Sequence, residues 1–332
     1  MENDQVRVGV VGYGAAYNMG KYHLDGMRAN PGFVPTAVCD TDAARLEAAR
    51  TDFPGIETYS DLDAMLAASK VQLLAVILPH NLHASVTVRC LEAGRHVVVE
   101  KPFALTVEEC DAMLQAAEAN GVMLSCFHNR HWDANILTIM KHLPRIGRPY
   151  RWESHQGSHQ RPRDWWRSDK AVSGGLIYDW GAHYVEWMLQ VMGYDIERID
   201  GFRLDEVWRE ASNEDEVEAI VHFKGDAIGS HTATSVACAG KPAIRICGTG
   251  GTIIADHQSV TVHTVEADGS RVATEVPMEA RAGEQYYRNV HDHLLADEDL
   301  LITPQWARRV IQVLDCAGRA AATGESIAAK YA

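Results

Sequence analysis

The chain has 332 residues, of which 46% are hydrophobic and 23% are charged. This length predicts two domains, and the composition excludes a largely disordered protein because enough apolar surface can be buried to offset the entropy lost on folding. The 31 basic and 45 acidic residues give a net charge of −14, which argues against nucleic acid and acidic membrane surfaces as partners.

Several standard sequence signals are missing. The longest aliphatic run, residues 73–78, is too short for a membrane span of about 20 residues. The chain enters a strand-like run after five residues, with no room for a signal peptide, so we expect a cytoplasmic protein. The seven cysteines include no CxxC pair. We therefore expect neither a disulfide framework nor a bound metal.

The N-terminal part alternates short apolar runs with helical patterns. Strands are predicted at residues 6–11, 34–39, 73–78, 96–99 and 122–126, and their continuous apolar runs are typical of a parallel sheet buried on both faces. Between the last two runs, Thr106 and Glu109 form a capping box and Gly121 ends the helix that follows. The pattern predicts a doubly wound α/β domain.

A glycine-rich turn follows the first predicted strand. Its residues are Gly12, Tyr13, Gly14, Ala15 and Ala16. Glycines let the backbone approach a pyrophosphate, which the N-terminus of the next helix attracts. The third glycine position of the usual motif is Tyr17, which leaves helix packing to Ala15, Ala16 or Gly20. An ordinary glycine turn is the alternative.

Asp40 ends the second predicted strand, where its carboxylate can accept hydrogen bonds from both hydroxyls of an adenosine ribose. This favours NAD. Thr41 follows, so no adjacent cation meets the 2′-phosphate of NADP, although Arg45 lies one helical turn on. Alternatively, Asp40 caps a helix that begins near Asp42.

The fourth predicted strand is followed by Glu100-Lys101-Pro102 at the carboxyl edge of the sheet, where ligands of doubly wound folds bind. The Lys101 ammonium can hydrogen-bond a substrate hydroxyl and stabilise an oxygen whose charge changes. Pro79, Asn81 and His83 follow the third strand. They either line a nicotinamide pocket or cap the next helix.

After about residue 128 the strands follow one another through turns such as Lys224-Gly225-Asp226 and Asp268-Gly269, which predicts an antiparallel sheet. Residues 217–223 alternate between apolar and mixed positions, so one face of the sheet is suited to a partner subunit. A helix is predicted from Pro304 to about residue 323, and we expect it to pack back on the N-terminal domain.

A helix opens after Gly174-Gly175 and places Asp179 and His183 four residues apart on one face. With Glu186 and Gln190 they form a polar stripe that points toward water or a site. An imidazole is a natural proton acceptor, and an acidic neighbour can orient it. A solvated helix face is the alternative.

These motifs together resemble the Gfo/Idh/MocA family of NAD(P)-dependent oxidoreductases. The resemblance spans nearly the whole chain, including residues 93–102, the Asn129-Arg130 region and residues 303–326, while Tyr17 and residues 80–83 depart from the common pattern. It implies a dinucleotide-binding Rossmann domain, residues 1–127, and an α+β domain, residues 128–332, whose large, mostly antiparallel sheet often joins subunits. A homodimer or homotetramer is therefore expected.

The resemblance also implies roles for individual residues. Lys101 is similar to the family's active-site lysine, Asp179 to its acid, and His183 to the acid/base histidine of inositol dehydrogenase-like members; all three are expected to contact substrate. The implied substrate is a cyclic polyol, sugar or glycoside oxidised at a secondary hydroxyl. Further substrate contacts are expected just before the catalytic helix, at His155, His159, Arg161 and Trp165. A surface loop with core tryptophans is the alternative there.

Three other functions compete with a dehydrogenase. The first is glycoside cleavage by an enzyme that retains NAD, oxidises the sugar transiently and eliminates the leaving group. The second is a metalloenzyme built on His155, His159 and His183 or on His291 and His293, whose spacing is not a recognised ligand set. The third is a sensor of NAD or sugar without catalysis, which has no chemical need for Lys101, Asp179 and His183.

Overall fold

The structure is a computed structural model that describes residues 5–14 and 17–331. The first sheet has six strands: β1 (Val6–Val11), β2 (Phe33–Cys39), β3 (Glu57–Tyr59), β4 (Leu73–Val76), β5 (His96–Val99) and β6 (Leu124–Cys126). The helices between them are α1 (Met19–Arg28), α2 (Ala43–Asp52), α3 (Leu62–Ala68), α4 (His83–Glu92) and α5 (Val107–Asn120). All strand pairs are parallel, in the order β3-β2-β1-β4-β5-β6. The predicted doubly wound fold is confirmed.

The predicted capping box is also present. The Thr106 hydroxyl accepts the Glu109 N–H at 3.1 Å, and Glu109 accepts the Thr106 N–H at 3.3 Å. Gly121 ends α5 at a φ of 62°, a left-handed conformation that favours glycine. Strand β3 was not predicted because it is a three-residue edge strand without an apolar run. Strand β4 ends at Val76, two residues earlier than predicted.

The second sheet is mixed and has nine strands. It comprises β7 (Pro149–Gly157), β8 (Ile196–Leu204), β9 (Glu216–Phe223), β10 (Ala227–Thr234), β11 (Ile244–Gly248), β12 (Gly251–Ala255), β13 (Val260–Val265), β14 (Arg271–Val276) and β15 (Ile327–Ala328). Only β7 and β10 pair in parallel among these described strands. The helices of this part begin with α6 (Ala134–His142), α7 (Lys170–Ser173) and α8 (Ile177–Met192). The predicted alternation is confirmed in β9, where every second residue is buried.

Two further helices complete the chain, α9 (Gln285–Ala296) and α10 (Pro304–Thr323). The chain divides into two compact units, residues 1–128 with 284–308, and residues 129–283 with 309–332. The boundary falls one residue later than predicted, after residue 128 instead of 127, and residues 284–308 return to the first unit. The predicted C-terminal helix begins at Pro304 as expected, and only its first residues, to Arg308, group with the first unit. No helix of the described residues is both long and apolar enough to span a bilayer.

Candidate active site

The turn after β1 shows why glycine is needed there. Gly12 has a φ of 92°, and a Cβ at this position would lie 2.0 Å from the Ile77 carbonyl oxygen. Gly14 has a φ of 63°, and a Cβ there would meet no atom of the described residues within 4 Å. A backbone without a side chain is what close approach of a pyrophosphate requires. Ala15 and Ala16, also predicted to bind cofactor, lie outside the described residues.

The third glycine of the usual motif is replaced in function by Gly20. A Cβ on Gly20 would lie 2.6 Å from Cδ2 and 2.7 Å from Cα of Tyr13, so only glycine lets α1 sit against this turn. The Tyr13 side chain is buried, and its hydroxyl donates to Asp52 at 2.8 Å. Tyr13 was predicted to bind cofactor, but its side chain points under α1 and supports the turn. Tyr17 is exposed.

Replacing Gly20 by alanine should therefore be costly. The new methyl group meets backbone atoms of Tyr13, so we expect Gly20→Ala to destabilise the protein by about 1–3 kcal/mol. Gly318 is the matched control because it lies in α10 with nothing within 4 Å of its Cβ position. There, alanine should stabilise by up to about 1 kcal/mol. Urea denaturation measures both changes, and similar effects of the two substitutions would contradict this packing.

Asp40 lies directly beside the turn. Its Oδ2 accepts the N–H groups of Tyr13 at 2.7 Å and Gly14 at 3.3 Å, and its Oδ1 accepts the Asp42 N–H at 2.9 Å. The helix cap of α2 is Asp42, whose side chain accepts the Ala44 N–H. The alternative in which Asp40 caps this helix is therefore wrong. A carboxylate has about four lone-pair positions and three of them are used here, so Asp40 can still accept one hydrogen bond from a ribose.

A buried hydrogen-bond chain lies behind Lys101. Oε2 of Glu100 accepts the Lys101 backbone N–H at 2.9 Å, and Oε1 lies 3.1 Å from Nε2 of His23. Since a carboxylate only accepts, Nε2 donates to Glu100, and Nδ1 lies 2.5 Å from the Tyr287 hydroxyl oxygen. Burial alone would raise the pKa of Glu100, but His23 and Lys101 outweigh it and hold this pKa below its ordinary value. Glu100 is therefore an anion fixed beside Lys101.

His83 has no exposed surface. Its Nδ1 lies 2.7 Å from the Pro102 carbonyl oxygen and its Nε2 lies 2.8 Å from that of Leu78. It ties the loop after β4 to the loop after β5, next to Lys101, so we no longer expect His83 to touch the cofactor, as the sequence suggested. Of its predicted companions, Pro79 precedes a 3₁₀ turn at His80–Leu82, and Asn81 is exposed on that turn.

In the second unit, α8 carries Asp179 and His183. The His183 ring is 5% exposed and lies between two tryptophans, with ring centroids 5.7 Å from Trp180 and 6.4 Å from Trp187. Asp179 is partly exposed, with Oδ2 3.7 Å from Nε of Arg167. Tyr184, the neighbouring tyrosine, is buried, and burial raises its pKa to about 12. The imidazole of His183, which packs against two tryptophans and lies one helical turn from the carboxylate of Asp179, can accept a hydroxyl proton.

The predicted polar stripe of α8 is not exposed to solvent at Glu186. Glu186 is 1% exposed, and its carboxylate accepts from Nδ1 of His131 at 2.6 Å and from the Gln190 amide. Trp187 donates its Nε1–H to the Arg130 carbonyl at 2.8 Å. Both contacts hold the 3₁₀ segment Asn129–Trp132 against α8. The Arg130 guanidinium lies 4.7 Å from the centre of the Trp180 ring.

His155 lies away from this region. Ser154, its neighbour in β7, is buried and lies 3.0 Å from Nδ1 of His231, whose ring stacks on Tyr184 of α8. Successive residues of a strand point to opposite faces, so His155 lies on the face of the sheet turned away from α8. The structure thus separates His155 from His183, with which the sequence grouped it as a substrate contact.

The other three predicted substrate contacts lie in the loop after β7. Arg161 pairs with Glu210 at 2.6 Å, and the His159 ring centre lies 5.4 Å from that of Trp208. Trp165 is half-buried, with its ring centre 4.8 Å from the Arg167 guanidinium. Arg167 therefore joins this loop to Asp179. We had not predicted a role for Arg167, although its position directly after two tryptophans is a signal that could have been used.

Two more residues support the turn that opens α8. Oε2 of Glu214 accepts the Leu176 N–H at 3.0 Å, and a Cβ on Gly175 would lie 2.8 Å from the same oxygen. The Asn213 amide donates to the Arg167 carbonyl at 2.7 Å. The predicted Gly174-Gly175 turn needs glycine because its φ values, 88° and 132°, are ones that other residues rarely adopt. Since Glu214 is 38 residues away from Leu176 in the chain, no local signal could have found this contact.

Comparisons with known proteins agree with this architecture. A solved structure of the WlbA dehydrogenase from Bordetella pertussis, in complex with NADH and UDP-GlcNAcA, superposes with a TM-score of 0.81 and 24% identity over 99% of this chain and 100% of that chain, a likeness of fold. A scyllo-inositol 2-dehydrogenase (NADP(+)) of Bacillus subtilis is 32% identical over 194 residues, which are 57% of this chain and 52% of that protein. The chain thus spans about half the length of the first such relatives.

A more distant relative aligns over a longer range. The myo-inositol 2-dehydrogenase of Thermotoga maritima is 26% identical over 274 residues, 80% of each chain. Residues 6–128 match the sequence model of an oxidoreductase family with an NAD-binding Rossmann fold, and residues 144–254 match the C-terminal domain of the same family. Because these two matches cover most of the chain and fall one in each sheet, the chain belongs to the Gfo/Idh/MocA family of oxidoreductases.

Proposed function

We propose that the chain is an NAD-dependent dehydrogenase that acts on a secondary hydroxyl of a cyclic polyol, sugar or glycoside. One observation carries the proposal. Gly14, Asp40 and Lys101 follow β1, β2 and β5, so the same edge of one parallel sheet presents the glycine turn, a carboxylate and an ammonium. Ligands of doubly wound folds bind at this edge. The names of the inositol dehydrogenase relatives support the substrate class.

The residues present fit NAD. Gly12 and Gly14 leave room for a pyrophosphate, and Asp40 can accept a further hydrogen bond from the ribose. The negative charge of Asp40 would repel the 2′-phosphate of NADP, so NAD is favoured. Arg45, the cation considered for that phosphate, lies 3.9 Å from the Asp42 carboxylate. When bound, the nicotinamide would accept a hydride from the substrate carbon.

The chain's own residues would manage the proton and the charge. His183 would accept the proton of the hydroxyl that is oxidised, and Asp179, one turn away, would favour the imidazolium that results. Lys101 would assist by hydrogen-bonding a substrate oxygen and stabilising negative charge that develops on it. Glu100 supports Lys101 by fixing its backbone N–H and placing a negative charge next to it. His159, Arg161 and Trp165 would bind the rest of the substrate.

The test is to incubate the purified protein with NAD and a panel of inositols, aldoses and glycosides, and to follow the absorbance of NADH. We expect NADH with at least one compound. Net cleavage of a glycoside without release of NADH would instead identify the enzyme that retains its cofactor. If no compound reacts with NAD, and NADPH drives reduction of ketones, both the cofactor and the direction proposed here are wrong.

Asp40 should set the choice between the two cofactors. Asp40→Ser removes a charged hydrogen-bond acceptor. A hydrogen bond to a charged group typically contributes about 1.5–3 kcal/mol. We therefore expect kcat/KM for NAD to fall about 10–100-fold, while the value for NADP falls less or rises. Asp42→Ser is the control, since this neighbouring carboxylate caps α2 and should not affect the ratio. An unchanged ratio in Asp40→Ser would remove Asp40 from the cofactor site.

We also propose a homo-oligomer formed through the second sheet. A groove of about 490 Å³ lies across β11 to β14 and is lined mainly by strand residues, among them Val265 and Val272. Val265 is exposed at 62% and lies on the same face of the sheet as Ile254 and Ala273, whereas Val272 points to the other face. A sheet face with exposed apolar side chains is suited to a second copy of the chain, as a dimer or tetramer. A cytoplasmic location likewise stays a prediction.

A further inference from the structure

The second unit contains a cavity of about 590 Å³, lined in part by Arg161 and Trp165, two of the residues proposed above to bind the rest of the substrate. Two loops form it, residues 161–169 after β7 and residues 210–212 before β9. We call it the loop cavity. Its residues with most bearing on ligand chemistry are Arg161, Arg163, Asp164, Trp165, Glu210 and Ser212. The volume is within the range of about 300–1,000 Å³ typical of small-molecule sites.

The loop cavity is connected to the residues of α8 through Arg167. This guanidinium lies 4.8 Å from the ring centre of Trp165, which lines the cavity, and 4.3 Å from that of Trp166. Its Nε lies 3.7 Å from the carboxylate of Asp179. One side chain therefore separates the cavity from the acid that we place next to the oxidised hydroxyl.

The charges in the loop cavity are nearly balanced. Arg161 and Glu210 neutralise each other in an ion pair of 2.6 Å. Asp169 caps α7 by accepting the Ala171 N–H at 3.0 Å. Arg163 and Asp164 add one charge of each sign. A phosphate or a carboxylate would find no excess positive charge here, so the cavity is not built for an anion.

The chemistry fits a neutral polyhydroxylated ring instead. Trp165 contributes a large flat apolar surface, and guanidinium, carboxylate and hydroxyl groups around it can donate to and accept from hydroxyls. A sugar ring presents an apolar face of C–H groups and an edge of hydroxyls, which matches both. The cavity is large enough to hold one such ring. This ring would be bound besides the one that is oxidised.

We propose that the loop cavity is a subsite for a second sugar unit, joined by a glycosidic bond to the ring whose hydroxyl is oxidised. The substrate is then a glycoside and not a free monosaccharide or inositol. This inference rests on the proposed function and narrows its substrate class. It makes Trp165 and the Arg161–Glu210 pair specificity-determining residues for the second unit.

The test compares glycosides with their free rings: cellobiose, maltose and trehalose against glucose, and galactinol against myo-inositol. For the wild type we expect kcat/KM to be about tenfold higher or more for at least one glycoside than for its free ring. The measured quantity for each variant is this ratio. Trp165→Ala, which removes the apolar surface, and Ala211→Phe, which fills the cavity, should each lower the ratio about tenfold. Tyr194→Ala is the control, because this exposed tyrosine lies outside the cavity.

Three results would overturn the subsite. One is a wild type that prefers every free ring to its glycoside, and another is a ratio that neither Trp165→Ala nor Ala211→Phe changes. If no sugar in the panel reduces NAD, the proposed function fails, and calorimetric titration of the same pairs still decides the subsite. The third result that would overturn the subsite is then an equal affinity of the protein for each glycoside and its free ring, as for cellobiose and glucose.

Discussion

Replacement of His183 by alanine is expected to lower kcat about 10²–10⁴-fold, the usual contribution of a positioned general base. The ring is held between Trp180 and Trp187 on α8, with Asp179 one turn earlier, so its removal takes away the proton acceptor without opening the helix. Affinity for NAD, measured by fluorescence titration, should stay within a factor of about two, because the proposed role of His183 is proton transfer, while the glycine turn and Asp40 are proposed to hold the cofactor.

The pH dependence provides an independent readout. With His183 as base, kcat/KM for oxidation should fall at low pH as the imidazole takes up a proton and can no longer accept one. In His183→Ala this acidic limb should disappear, together with most of the rate. His142→Ala, at the end of α6, is the matched control and should keep both the rate and the limb. A His183→Ala protein with wild-type turnover would falsify the assignment.

The strands and helices that surround the site follow from local patterns. The first sheet was predictable because a strand buried on both faces is a continuous apolar run, as in Val6–Val11 and His96–Val99. The capping box at Thr106 was predictable because its two hydrogen bonds join residues three apart. Strand β3 and the return of residues 284–308 to the first unit have no such local signal, since partners distant in the chain decide them.

The residues of the site divide in the same way into those that a local pattern predicts and those that distant partners decide. The sequence placed Asp40 and Lys101 after strands, which fixes their position at the sheet edge. It could not show that both ring nitrogens of His83 face carbonyl oxygens or that Glu186 binds His131, because these contacts join separate segments. For that reason the sequence assigned His83 to the cofactor and Glu186 to a polar stripe that points toward water or a site. A polar residue in an amphipathic pattern indicates which face of a helix it lies on. Whether that face is exposed to solvent depends on the residues that pack against it.

Replacement of Lys101 by methionine should lower kcat about 10²–10³-fold, the usual cost of losing a single donor to a developing oxyanion. Methionine keeps most of the length of the side chain and removes its charge. The substitution keeps the two hydrogen bonds that hold Glu100, one with His23 and one from the Lys101 backbone N–H. We therefore expect near-normal stability and NAD affinity, and a defect confined to turnover with every sugar tested.

Two further variants separate this effect from a general change of charge. Lys70→Met, at an exposed position of the same unit, removes one positive charge outside the sheet edge and should leave kcat unchanged. Glu100→Gln keeps the shape of the side chain but removes the anion, so it should lower kcat less than Lys101→Met does and shift the pH profile. Because the lowered pKa of Glu100 makes its charge stabilising above its ordinary titration range, that variant should also lose part of the stability present at neutral pH. If Lys101→Met and Lys70→Met behave alike, the ammonium has no role in the reaction and the dehydrogenase mechanism proposed for this sheet edge is wrong.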